Sequence, residues 1–142
     1  MRVVAAVIER ERRILICQRR RQDSLGLKWE FPGGKVEDGE TEDAALGREL
    51  REELGVTLRQ SREIARVQHQ HAHLPELVEI RFFAAEISGP EPAPNAYERI
   101  EWVLPKNLGD YDFLEADIPL VARLATGQIK PAEFLEKNKR EA

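Results

Sequence analysis

Residues 31–56 read FPGGKVEDGETEDAALGRELREELGV and place eight carboxylates beside a pair of glycines. The second half of the stretch is patterned as an amphipathic helix. Thr41 can cap its start, Glu42 and Asp43 fall in the first turn where the helix dipole favours anions, and Gly55 suits the residue just past the end. Between these caps Leu46, Leu50 and Leu54 recur every four residues, an apolar stripe that needs a core to pack against. Glu49, Glu52 and Glu53, spaced i, i+3 and i+4, share another face one turn apart. Two like charges about 5 Å apart repel by roughly 3 kcal/mol at an effective dielectric of about 20. Arg48 reaches Glu52 at i+4, but one arginine cannot neutralise three carboxylates. A hard divalent cation can, since Mg²⁺ takes oxygen ligands from carboxylates, water and phosphates. A plain solvated acidic face is the alternative. Gly33 and Gly34 weigh against it, because their missing side chains let backbone approach a ligand closely. Gly47 points to a packing constraint, since a mid-helix glycine costs about 1 kcal/mol relative to alanine.

Upstream, Val3 to Ile8 and Ile14 to Gln18 are apolar runs around a charged turn from Glu9 to Arg13, which predicts a hairpin of mostly buried strands. Arg19 to Lys28 is a polar loop leading into Trp29-Glu30-Phe31-Pro32-Gly33-Gly34, punctuated by proline and glycine. Downstream, Glu63 to Gln68 and Leu77 to Ile87 are predicted strands, and Ser88 to Asn95, with Pro90, Pro92 and Pro94, is a loop. Ile100 to Leu104 is a short strand and Ile118 to Leu124 a helix begun by Pro119. From Pro131 the charged tail suggests a short surface helix. The pattern predicts an α+β fold with strands before and after one central helix.

A chain of 142 residues is expected to form one domain, 1–142, able to bury one core. Its 42% hydrophobic and 34% charged residues are ordinary for a globular protein and exclude general disorder. The net charge of -4 argues against coating nucleic acid, which would call for a basic stripe, and only Arg19 to Arg21 offers one. Cys17, alone in an apolar run, has no intrachain disulfide partner and is expected to fill the core. The opening MRVVAAVIERERR has too few consecutive apolar residues for a signal peptide or membrane span, so a cytoplasmic protein is expected. His69, His71 and His73 alternate in HQHAH and would share one face of a strand, as a strand end, a nucleotide-pocket lining or a transition-metal site.

From Gly34 the chain reads Gly, five residues, Glu40, seven residues, then Arg48-Glu49-Leu50-Arg51-Glu52-Glu53-Leu54-Gly55-Val56. This resembles the Nudix box, GX5EX7REUXEEXGU with U apolar, over residues 34–56, and no position departs from it. KWEFPGGKVE and the upstream ICQRR look like the MutT-type branch, which hydrolyses nucleoside triphosphates to monophosphate and pyrophosphate. The resemblance runs from about Val3 to Leu124. It implies a Nudix fold, an α/β/α sandwich with a mixed sheet and a loop–helix–loop catalytic motif. It also implies Mg²⁺ as cofactor, with Mn²⁺ able to replace it. The implied partners are a small nucleotide, with no stable nucleic acid and no membrane, and the chain would act as a monomer or homodimer.

By the family pattern the Gly33 carbonyl, Glu49, Glu52 and Glu53 would bind metal, and Glu49 would orient or deprotonate the attacking water. Arg48 would position the glutamates and Glu40 support the loop, or the two would simply pair with each other. Arg19 falls where the branch places a phosphate-contacting arginine, while Gly34 and Lys35 belong to the substrate-binding set. Relatives often carry a further metal-binding glutamate six residues before a late tryptophan. Counting back from Trp102 that position is Ala96, and Glu98 is the nearby substitute. Phe31 and Phe82 are candidates to stack on a base, or are core. EADIPLVARL places Asp117 where the branch reads the base with an asparagine, with a helix cap as the alternative. An ionised Asp only accepts hydrogen bonds, which leans toward pyrimidines such as CTP or dCTP without excluding oxidised dGTP. Hydrolysis of another nucleoside diphosphate derivative, such as an NDP-sugar or a dinucleoside polyphosphate, is the alternative within the family. A non-catalytic nucleotide-binding module is the alternative outside it.

Overall fold

The computed structural model describes residues 1–70 and 76–135. Strand β1 (Arg2–Arg10) and strand β2 (Arg13–Gln18) form the expected hairpin, with the turn tightened to Glu11 and Arg12. Both turn residues have positive φ, 52° and 68°, the twist a two-residue hairpin loop demands. Short strands β3 (Trp29–Glu30) and β4 (Gly33–Lys35) follow, then helix α1 (Glu42–Leu54), β5 (Thr57–His69), β6 (Val78–Ser88) and β7 (Arg99–Val103). Two 3₁₀ turns, Pro105–Asp110 and Glu115–Asp117, lead into α2 (Ile118–Ala125), and residues 131–135 are helical.

These strands make a seven-stranded mixed sheet with the central order β3-β2-β1-β6-β5, in which β4 also pairs with β1 and β7 with β2. Only β1 and β6 run parallel, and their register runs from Arg2↔Glu79 to Ile8↔Ala85. The other edge of β1 is divided. Its first half pairs with β4, Val4 opposite Gly34 and Ala5 opposite Gly33, while its last residues pair with β2. That division lodges the glycine pair beside the central strand and directly under α1.

Period-two alternation along β1 feeds two cores. Val4, Ala6 and Ile8 face α1 and pack with Leu15, Leu46, Leu50 and Leu54. Ala5 and Val7 face the opposite layer, with Ile14, Ile16, Leu120, Val121 and Leu124. Helix, sheet and helix therefore stack as the expected sandwich. Cys17 is fully buried in the α1 layer, as a core residue should be.

Strand β5 starts at Thr57, six residues before the sequence pattern places it. It lies at the end of the strand order, its first half is mostly polar, and its register with β6 shifts between Leu58 and Gln60 and between Glu63 and Ala65. Those shifts erase the alternation by which a strand is recognised. His69 ends β5, while His71 and His73 lie outside the described residues.

Candidate active site

Helix α1 is set by its ends and its stripe. Thr41 Oγ1 accepts from the Ala44 amide at 3.1 Å, and Gly55, at φ 74°, closes the last turn by donating to the Arg51 carbonyl at 3.0 Å. With Ala45, Leu46, Leu50 and Leu54 buried, the acidic residues are carried along the margin facing the glycine strand. Gly47 does not mark a tight contact: an added Cβ would meet Leu58 Cβ at 3.8 Å, an ordinary packing distance.

Arg48 is the hub of this margin. It grips Glu40 through two hydrogen bonds of 2.7 and 3.0 Å, donates to Glu49 Oε1 at 3.0 Å and to the Lys35 carbonyl at 3.0 Å, and lies 3.5 Å from Glu52. The hydrogen bonds from Arg48, with one from the Glu37 amide, hold the Glu40 carboxyl down at about 2. The Glu40–Arg48 pair expected from sequence is thus present, and it steadies the loop before α1. Glu49 is raised above the ordinary carboxylate range, by burial first, with Arg48 opposing the shift. An added Cβ at Gly34 would fall within 3.0 Å of the Glu49 carboxylate, so only glycine leaves that group its place.

Glu53 points inward. Its Oε1 accepts from the Gly33 amide at 3.0 Å and from the Tyr97 hydroxyl at 2.9 Å. Burial nevertheless pushes its carboxyl up to about 8, aided by repulsion from Glu49 and Glu30 and opposed by those two hydrogen bonds. Glu52, by contrast, is 60% exposed in its side chain. Among the described residues no three His, Cys, Asp or Glu side chains converge closely enough to enclose a cation as they stand. The donors still suit one. They are hard oxygens on one helix margin, and Glu49 and Glu53 both resist ionising until positive charge offsets their burial.

The remaining predicted residues divide. Arg19 donates to the Ser24 carbonyl at 2.8 Å and pairs with Glu30 at 3.1 Å. Lys35 is exposed. Phe31 and Phe82 are 3% and 1% exposed and meet edge to face, so neither offers an open ring for stacking on a base; both belong to the α2-side core. Glu98 is exposed, and its Oε1 accepts from the Arg21 amide at 3.3 Å. Ala96 packs against the α1-side core and supplies no oxygen.

Asp117 stands just before α2 and makes no side-chain cap, which removes the capping alternative. It is 6% exposed, and burial, then repulsion from Glu30, pushes its carboxyl up to about 8 against a hydrogen bond from the Phe31 amide. Near pH 7 it is mainly neutral, with one O–H donor and an acceptor. The acceptor-only argument for pyrimidines applies to the ionised form, and burial favours the protonated one, which adds a donor.

Two residues escaped the sequence reading. Glu30 lies within the KWEFPGG run, where the sequence shows only a lead-in to the glycines; pairing of β3 with β2 turns it toward Arg19, opposite the buried Trp29. Tyr97 lies between the proline-rich loop and the strand after it, where no periodicity marks a site. Two cavities, of about 330 and 290 Å³, lie away from the box, around Trp102.

The sandwich and the margin it carries define a Nudix hydrolase site, and the NUDIX domain family matches residues 1–124. The chain belongs to the Nudix family and is a hydrolase of the MutT-like type. It is 38% identical over 141 residues to the CTP pyrophosphohydrolase of Escherichia coli K12, covering 92% of this chain and 96% of the relative. It is 30% identical over 126 residues to the 8-oxo-dGTP diphosphatase of the same strain, covering 87% and 95%. The solution structure of the E. coli ORF135 protein superposes with a TM-score of 0.76 at 34% identity, covering 85% of each chain. Enzymes of this family act on small nucleotides and generally use a divalent metal. No helix among the described residues is long and apolar enough to cross a membrane.

Proposed function

We propose that the chain is a Mg²⁺-dependent pyrophosphohydrolase of a nucleoside triphosphate, either oxidised dGTP or a CTP- or dCTP-like substrate, acting in nucleotide-pool sanitation. The observation that carries this reading is the single α1 margin on which Glu49, Glu52 and Glu53 stand together, organised by Arg48 and backed by Gly33 and Gly34. The names of the two E. coli relatives support both substrate choices.

In this reading Gly33, Glu49, Glu52 and Glu53 would hold Mg²⁺ or Mn²⁺ with the triphosphate. When bound, the cation supplies Lewis acidity to the phosphoryl oxygens and to water. Glu49, oriented by Arg48, takes the proton of the attacking water as the anhydride opens to monophosphate and pyrophosphate. Arg19, on exchanging Glu30 for substrate, contacts phosphate, as does exposed Lys35. Asp117, beside Phe31, reads the base, and in its protonated form it offers both a donor and an acceptor, which suits either base class.

The test is to incubate the purified protein and Mg²⁺ with dNTPs, NTPs, 8-oxo-dGTP, 5-methyl-dCTP, ADP-ribose and a dinucleoside tetraphosphate, with Glu49→Gln and Glu53→Gln as controls. Monophosphate and pyrophosphate should appear from one triphosphate class and fall by about 100-fold or more in the controls. Turnover of ADP-ribose or the tetraphosphate alone would move the assignment to those derivatives. Nucleotide binding with no turnover of any compound would make the chain a binding module.

A further inference from the structure

We propose that Tyr97 is a positioning residue: its hydroxyl, with the Gly33 amide, occupies Glu53 Oε1 and leaves Oε2 as the oxygen presented to a divalent cation. The inference rests on the metal-dependent reading above and assigns a role to a residue outside the Nudix box. Both hydrogen bonds to Glu53 fall on one oxygen, from Tyr97 at 2.9 Å and from Gly33 at 3.0 Å. Among the described residues the other oxygen accepts no hydrogen bond. Nor is it sealed in, since the buried side-chain atoms without partners among the described residues are Glu9 Oε1 and Glu42 Oε2. A carboxylate with one oxygen tied by two donors and the other open offers a single, directed ligand. Partners of this kind outside the ligand set fix ligand orientation and raise affinity.

The placement of Tyr97 is built into the fold. The loop before it is bonded to the end of α1, Ala93 to the Leu54 carbonyl at 3.0 Å and Asn95 to the Glu53 carbonyl at 3.1 Å. Arg20 holds the Asn95 carbonyl at 2.7 Å, and the Glu98 amide donates to the Gln18 carbonyl at 2.9 Å. Between these ties the Tyr97 side chain is 7% exposed within the α1-side core. A phenylalanine would fill that core equally well, so core packing alone does not call for the hydroxyl.

The experiment compares Mn²⁺ binding to wild type and Tyr97→Phe by electron paramagnetic resonance, without nucleotide, after confirming that each is folded. The proposal expects Mn²⁺ affinity about 10–100-fold weaker in the variant. It also expects kcat to be largely restored at saturating Mg²⁺. A second measurement needs no variant. The chain has two tyrosines, so ¹³C-labelled tyrosine should show the Tyr97 resonance moving with added Mg²⁺ while Tyr111, bonded to Glu101, stays still. A folded Tyr97→Phe with wild-type Mn²⁺ affinity, or a Tyr97 resonance unmoved when Mg²⁺ saturates the wild type, overturns the proposal and leaves the enzyme assignment standing. A wild-type chain that binds no divalent cation overturns both.

Discussion

Asp117 is 6% exposed, and its carboxyl is pushed up to about 8 from an ordinary 3.8. The folded state therefore holds this proton more tightly than the unfolded chain does. Its contribution to stability is complete below about pH 3.8 and is lost as pH rises through about 8. Asp117→Asn, always neutral and still able to accept from Phe31, should be free of that loss. Thermal melts across pH 4 to 9 should show the variant gaining on wild type by a few kcal/mol, or about 5–10 °C, toward the alkaline end. Parallel curves would mean that Asp117 is solvated. At Gly34 the expected effect is on rate. Gly34→Ala should displace the flexible Glu49 carboxylate and lower kcat by roughly 10–100-fold with little change in Tm. The box glutamates were legible because their spacing is local, whereas Tyr97 meets Glu53 across 44 residues of sequence and only the folded loop brings them together.

Among the elements, α1 is legible from Thr41 to Gly55 because caps and stripe are written in one short segment. Thr41→Ala removes the acceptor for the Ala44 amide and should cost about 1 kcal/mol in a urea melt. Gly47→Ala should do the opposite. With 3.8 Å to Leu58 Cβ there is room for the methyl, so the variant should gain about 0.5–1 kcal/mol from helix propensity. A loss instead would restore the packing constraint that the sequence suggested. Strands β3, β4 and the first half of β5 were not legible. The first two are very short, and the third is an irregular polar edge whose structure comes from pairing with β6.

Across the whole molecule, the sheet carries a core on each face, and Leu46 and Leu124 are buried in different ones. Leu46→Ala and Leu124→Ala should each cost about 2–5 kcal/mol. Because both cores share β1 and β6, the double variant should lose close to the sum and still unfold in one calorimetric transition. Two separate transitions would show that the layers fold apart. The sequence by itself determined the family, the helix with its caps and the three-glutamate margin, since these depend on residues a few positions apart. Only the tertiary structure decided that Phe31 and Phe82 are core, that Glu98 is exposed, that burial raises the Asp117 carboxyl and that Tyr97 holds Glu53. Each of these depends on burial or on a partner distant in sequence, and desolvation and long-range hydrogen bonds arise only once the layers close.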